Sequence, residues 1–238
     1  MIISTAPKQT AIVALFGSLV AACGGGEPTD ETTEAEIAAS DVAVEETTAD
    51  EASSATALAE VSAGSYDLEK GHASLLWKIS HNGLSYYTAR FTAFDATLNF
   101  DPADPAASTL SVTIDPTSVR TDHPDGDEWD TELATDEKFF NAGEYPEITF
   151  TSTDVTTTGD TTGLIIGDLN LLGTALPVTL DTTFNGVTTP PWYNGRDVIG
   201  FSATATIKRS EFGMDALIPN IGDEVNIIVE AEFLQSEG

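Results

Sequence analysis

From residue 66 to the C-terminus, apolar and polar side chains alternate with a period of two. Phe94, Ala96, Leu98 and Phe100 share one face against Asp95, Thr97 and Asn99. The same alternation runs through Leu110–Ile114, Ile148–Thr151, Ile165–Leu171, Val178–Phe184, Ile199–Ile207 and Val225–Phe233. A period of two places successive side chains on opposite faces of a strand, so each run predicts a strand with one apolar and one wet face. Turn-forming clusters separate the runs: Asp101-Pro102, Thr158-Gly159-Asp160, Asn185-Gly186, Asn194-Gly195 and Ile221-Gly222-Asp223. Helical patterning is scarce; Thr131–Asn141 is the best candidate for a short helix, and Ser210–Met214 for a further turn. Eight or so strands with one wet side each predict an all-β, antiparallel domain over 66–238. Alternation alone does not choose between a sandwich and a closed barrel, nor set whether the interior is open or filled.

The first 65 residues follow different rules. Ala11–Ala22 is an unbroken apolar and small-residue stretch behind the single cation Lys8. Its 12 residues fall short of the about 20 needed to span roughly 30 Å of hydrocarbon, and suit the core of an export signal. The stretch ends in Val20-Ala21-Ala22-Cys23, which resembles a bacterial lipobox, and Cys23 is the only cysteine of the chain. Residues 1–22 are therefore read as a lipoprotein signal and Cys23 as the acylated residue anchoring the chain to a membrane. Gly24, rather than an aspartate, follows it, which points to the outer membrane of the bacterial envelope, facing the periplasm. Residues 24–65 carry no Lys, Arg or aromatic residue and many carboxylates. Such a segment buries too little apolar surface to offset its ordering entropy, so 23–65 reads as a disordered acidic linker.

Composition narrows the function classes. The 238 residues carry 9 Lys+Arg against 39 Asp+Glu, a net charge of -30. That balance excludes electrostatic binding of nucleic acid and a polybasic grip on anionic lipid. One cysteine allows no intramolecular disulfide, and three histidines (His72, His81, His123) leave little for a metal site. No nucleophile elbow, zinc-protease motif, phosphate loop or dinucleotide glycine pattern occurs. The acidic run Asp122–Asp130 places Gly126 directly after Asp125, unlike a calcium loop, and reads as a solvated loop. Neither an enzyme nor a metal-binding protein is expected.

Several segments, in one order, resemble the YceI-like family of exported bacterial proteins. They are Tyr66-Asp67-Leu68 with His72-Ala73-Ser74, Ser80-His81-Asn82-Gly83 with Ala89-Arg90-Phe91, and Ser118-Val119-Arg120-Thr121. Phe139-Phe140-Asn141-Ala142 with Tyr145-Pro146-Glu147-Ile148-Thr149-Phe150, and Ile207-Lys208-Arg209-Ser210-Glu211-Phe212-Gly213-Met214, complete the match. Leu172-Gly173-Thr174 departs from the family's usual His-Gly-Val. The resemblance implies a lipocalin-like, eight-stranded antiparallel barrel with one or two short helices and an apolar interior that takes polyisoprenoids, isoprenoid quinones or long fatty amides. No cofactor is implied beyond such a bound lipid, and homodimerisation stays open. The candidate lipid contacts on strand faces are Trp77, Phe91, Leu98, Val112, Phe150, Phe201, Ala203, Val225 and Ile227. Phe139, Phe140, Phe212 and Met214 are candidates at an end. His81 and Arg209 are the candidates for a head group, Arg209 with Glu211 or Asp223 as its alternative ion-pair partner. The competing expectation is a barrel plugged by its own side chains, serving as an envelope structural or stress-protective module.

Overall fold

The computed structural model describes residues 58–237. The export signal, Cys23 and the linker up to residue 57 lie outside the described residues. The chain forms β1 (Gly64–His81), β2 (Ser85–Phe91), β3 (Phe94–Phe100), β4 (Thr109–Ile114), β5 (Val119–Thr121), α1 (Gly126–Thr135), β6 (Ile148–Thr157), β7 (Thr162–Leu171), β8 (Thr174–Thr188), β9 (Val198–Lys208) and β10 (Ile221–Gln235). All pairings are antiparallel, and β10 returns to β1, closing the ring β1-β3-β4-β6-β7-β8-β9-β10. Eight strands thus make the closed barrel that the resemblance implies, built from the antiparallel strands that the alternation predicts.

The remaining strands follow from how β1 bends. Leu68 pairs with Phe233 but Ala73 with Ala231, so β1 carries extra residues at a bulge. Before the bulge its free edge pairs with β3; after it, Leu75–His81 pairs with β2. β5 then adds to the outer edge of β2, and α1 lies across that end of the barrel. The β1–β2 hairpin turns on Asn82 (φ 53) and Gly83 (φ 67). Both positive-φ residues occupy the centre of the turn that Leu84 N closes on His81 O at 3.0 Å.

Five expectations need correction. The helix is Gly126–Thr135, not Thr131–Asn141; residues past Thr135 form a turn. Asp127 and Glu128 sit in its first turn, where carboxylates favour a helix N-terminus. The acidic loop is therefore partly helical, with buried Asp130 accepting from Thr121 N at 2.9 Å and Thr121 Oγ1 at 2.7 Å. Asn185-Gly186 is a bulge inside β8, and Ile221-Gly222-Asp223 opens β10 rather than making a turn. Lastly, ordered packing begins before residue 66. Val61 is buried in one core cluster, and Ser62 N donates to Asp197 Oδ2 at 3.0 Å. The linker reading fails for these last residues because Val61 is buried in the barrel's core with Leu58 packed against it.

Tyr66, fully buried, donates from its hydroxyl to Ser62 O at 2.6 Å. Burial, with the Asp197 carboxylate nearby, pushes its phenol from 10.0 up to about 12. The folded state then holds a proton that the unfolded chain releases above pH 10, so this stability is complete below pH 10 and lost toward pH 12. Between pH 8 and pH 11.5, urea unfolding of Tyr66→Phe is expected to show about 2 kcal/mol less alkaline destabilisation than the parent. Equal losses in both proteins would show that Tyr66 does not titrate in this way.

Candidate functional site: an apolar tunnel

Inward positions of the barrel wall are not uniformly large. Ala96, Ala203 and Ala231 line the interior, Ala96 opposite Val112, Ala203 between Thr182 and Val229, and Ala231 opposite Phe201. Gly167 on β7 leaves room for Phe150 to lie across the strand: a Cβ there would come within 2.4 Å of Phe150 Cζ and 2.5 Å of Thr151 O. The three alanines stand on the wall of a cavity of about 540 Å³ along the barrel interior. It reaches from Leu58 and the Gly159–Gly163 turn region at one end to His81, Trp129 and Leu217 at the other. We call these the arm end and the helix end. On β10 the wall runs from Ile221 to Phe233, twelve rises of roughly 3.4 Å, or roughly 40 Å of strand.

Each end has an aromatic cluster. At the arm end Phe201 meets Phe100, Phe184 and Phe233 edge-on, with ring centroids 5.8, 5.5 and 6.2 Å away. At the helix end Phe140 meets Phe91 at 5.2 Å and Trp77 at 6.2 Å. Trp129 of α1 meets Phe139 at 6.0 Å and donates from Nε1 to Tyr87 Oη at 2.9 Å. The turn that presents Phe139 and Phe140 is fixed to α1 by Phe140 N to Leu133 O (3.1 Å) and Ala142 N to Ala134 O (2.8 Å).

Polar groups are few. Among the described residues, Asp160, in the β6–β7 turn at the arm end, is the only carboxylate on the wall. Two wall residues carry buried donor atoms without a hydrogen-bond partner, Trp77 Nε1 and Thr182 Oγ1. Among the described residues, Glu69, His72 and Glu232 bring imidazole and carboxylate atoms together, but on the outer surface beside the β1 bulge, not on the tunnel wall.

The structure brings Trp77, Phe91, Leu98, Val112, Phe139, Phe140, Phe150, Phe201, Ala203, Met214, Val225 and Ile227 to the tunnel wall. Phe212 is buried in the adjacent packed core instead. His81 stands exposed at the helix-end mouth, its Nδ1 3.2 Å from Asn82 Nδ2. Arg209 reaches the wall, but its guanidinium is not free for a head group. Nε donates to Gly222 O (2.8 Å), Nη1 to Met214 O (3.0 Å), and Nη2 to Ala216 O (2.7 Å) and Ile221 O (3.2 Å). Nor does it pair directly with Glu211 or Asp223; Asp223 accepts from Ser210 N and Oγ at 3.0 and 2.9 Å. Burial lowers the Arg209 pKa, with Asp223 and Asp215 acting in the opposite sense. Wall residues not anticipated from sequence include Leu58, Tyr87, Trp129 and Leu133. The i, i+4 spacing of Trp129 and Leu133 was the available signal.

A closed, eight-stranded antiparallel barrel around one apolar tunnel places the protein in the lipocalin-like class of architectures. The comparisons agree: Burkholderia cenocepacia BcnA superposes with a TM-score of 0.61 at 22% identity, over 69% of this chain and 98% of that one. Protein YceI of Escherichia coli O17:K52:H18 is 37% identical over 171 residues, 72% of this chain and 86% of that protein. A polyisoprenoid binding domain from Saccharophagus degradans matches with a TM-score of 0.55 at 15% identity, over 72% and 98% of the two chains. The model of the YceI-like domain matches residues 66–233, and the chain belongs to that family.

Proposed function

We propose that the protein is an exported, membrane-tethered lipid-binding protein that sequesters or carries a polyisoprenoid-like or other long-chain apolar ligand inside the barrel. The tunnel carries this reading. Its volume of about 540 Å³ lies within the ~300–1,000 Å³ of small-molecule sites. A hydrocarbon chain offers little to hydrogen-bond, so it must be held by desolvation, at about 25 cal/mol per Å² of apolar surface removed from water. A wall of aliphatic and aromatic side chains suits that task and needs no reactive group, which favours binding over catalysis. The polyisoprenoid-binding description of the Saccharophagus domain is in keeping with it. A ligand oxygen near Trp77 Nε1 or Thr182 Oγ1 would relieve donors that cost about 1–3 kcal/mol each when left unpaired. The plugged-barrel alternative has no support in a cavity of this size.

In this reading acylated Cys23 and the acidic linker hold the barrel at the periplasmic face of the outer membrane. Two or three acyl chains anchor firmly where one would not, and a tether raises the effective concentration of membrane lipid at the tunnel. The test uses the full chain carrying Cys23→Ser, made without export, and a radiolabelled long-chain polyprenol. Saturable uptake of a single ligand per chain, competed by long hydrocarbons and not by short alcohols, is expected. Non-saturable uptake, or equal competition by short alcohols, would remove the proposal.

A further inference from the structure

The helix-end mouth has an apolar lip that the packing of the barrel does not use. Leu84, at the tip of the β1–β2 turn, is 87% exposed; Leu217, in the loop before β10, is 57% exposed. Tyr86 and Ile218 flank them, also exposed. The two loops form one structure, since Asn82 N donates to Asn220 O at 2.6 Å. Leu217 also lines the tunnel, as does Ile221 just behind it, so apolar surface continues from the outside of the lip into the bore. A single exposed leucine is ordinary, whereas a contiguous patch at a cavity mouth calls for a partner.

Charge selects the partner. In a chain with 39 carboxylates, neither Ser80–Thr92 nor Ala216–Gly222 contains one. Lys78 lies over the Tyr86 ring, 5.3 Å from its centroid. The other side of the same mouth is bordered by the acidic Asp122–Glu128 segment, whose His123 reaches the wall. Carboxylates are thus kept off the apolar lip but stand beside it. We infer that Leu84, Tyr86, Leu217 and Ile218 form a docking lip that seats the helix-end mouth against a zwitterionic lipid bilayer. The patch has the composition of an interfacial contact, aliphatic tips with a tyrosine and a lysine at the margin. The neighbouring carboxylates disfavour a strongly anionic surface. Docked in this way, a lipid tail passes from the acyl region over Leu217 into the tunnel without crossing water. The inference rests on the reading of the tunnel as a lipid site.

The test is co-flotation of the unacylated full chain, carrying Cys23→Ser, with phosphatidylcholine vesicles. Leu84→Gln/Leu217→Gln is compared with Trp192→Gln, which alters the exposed tryptophan of the β8–β9 connection at the arm end. Leu84→Gln/Leu217→Gln should lower vesicle partitioning by about tenfold or more, and Trp192→Gln should leave it unchanged. Adding anionic phosphatidylglycerol should weaken binding of the parent at low salt. Parent-level partitioning of the double variant would overturn the lip; so would self-association of the parent, seen by sedimentation, that the double variant abolishes. Polyprenol uptake from vesicle-free solution is measured on the same proteins. If the parent takes up no polyprenol, the tunnel reading fails; if only partitioning is insensitive to the substitutions, the lip alone fails.

Discussion

Arg209→Met is expected to lower unfolding stability by about 3–5 kcal/mol. Arg209 is 3% exposed, and its guanidinium donates to the carbonyls of Met214, Ala216, Ile221 and Gly222. Met214 and Ala216 lie in the chain between β9 and β10, and Ile221 and Gly222 open β10, so one guanidinium ties that loop to the strand it leads into. Methionine fills much of the space and removes a buried charge, which is favourable. It also leaves the carbonyls without donors, and each unpaired buried carbonyl costs about 1–3 kcal/mol. Arg209→Lys keeps the charge but presents its donors from one point, so it should recover only part of the loss. Urea midpoints of the three proteins measure both effects. A loss below about 1 kcal/mol in Arg209→Met would mean that the loop holds its shape without the clamp.

Ala203→Phe should separate ligand uptake from folding. Ala203 pairs across β9 with Thr182 and Val229 and faces the tunnel partway along its length. The phenyl ring added there enters the cavity, so little overpacking arises and the melting temperature should stay within a few degrees. A chain-like ligand cannot pass the ring. Losing about 110 Å² of ligand burial at about 25 cal/mol per Å² corresponds to roughly 100-fold weaker binding. Polyprenol titration of Ala203→Phe, with circular dichroism as the fold control, gives the comparison. Undiminished affinity would place the ligand outside the bore.

Most of the barrel was legible because it rests on local alternation. Val225–Phe233 and Ile199–Ile207 show one apolar face each, and both strands form with that face inward. What alternation cannot encode is the joint effect of eight strands. Ala203 reads as one more inward residue, and only the barrel brings it together with Ala96 and Ala231 on the wall of one hollow. Helix α1 was obscured by its own chemistry. Asp122–Asp130 looks like a solvated run, yet Trp129 and Leu133 turn inward while Asp130 is satisfied by Thr121. Asn185-Gly186 has the composition of a hairpin turn, but the pairing of β8 with β9 continues past it and absorbs the extra residue as a bulge. Arg209 sits in a family-like motif, but its partners are main-chain carbonyls, whose placement no side-chain pattern records.

The proposed function requires that this barrel hold a long apolar molecule in its tunnel. Gentle purification of the full-length protein from its own host, followed by native mass spectrometry and analysis of the extracted lipid, tests it most directly. A stoichiometric co-purifying prenyl or other long-chain lipid, missing from Ala203→Phe isolated in parallel, is the predicted result. A mass equal to that of the bare polypeptide in every preparation, with no lipid recovered, would contradict the claim.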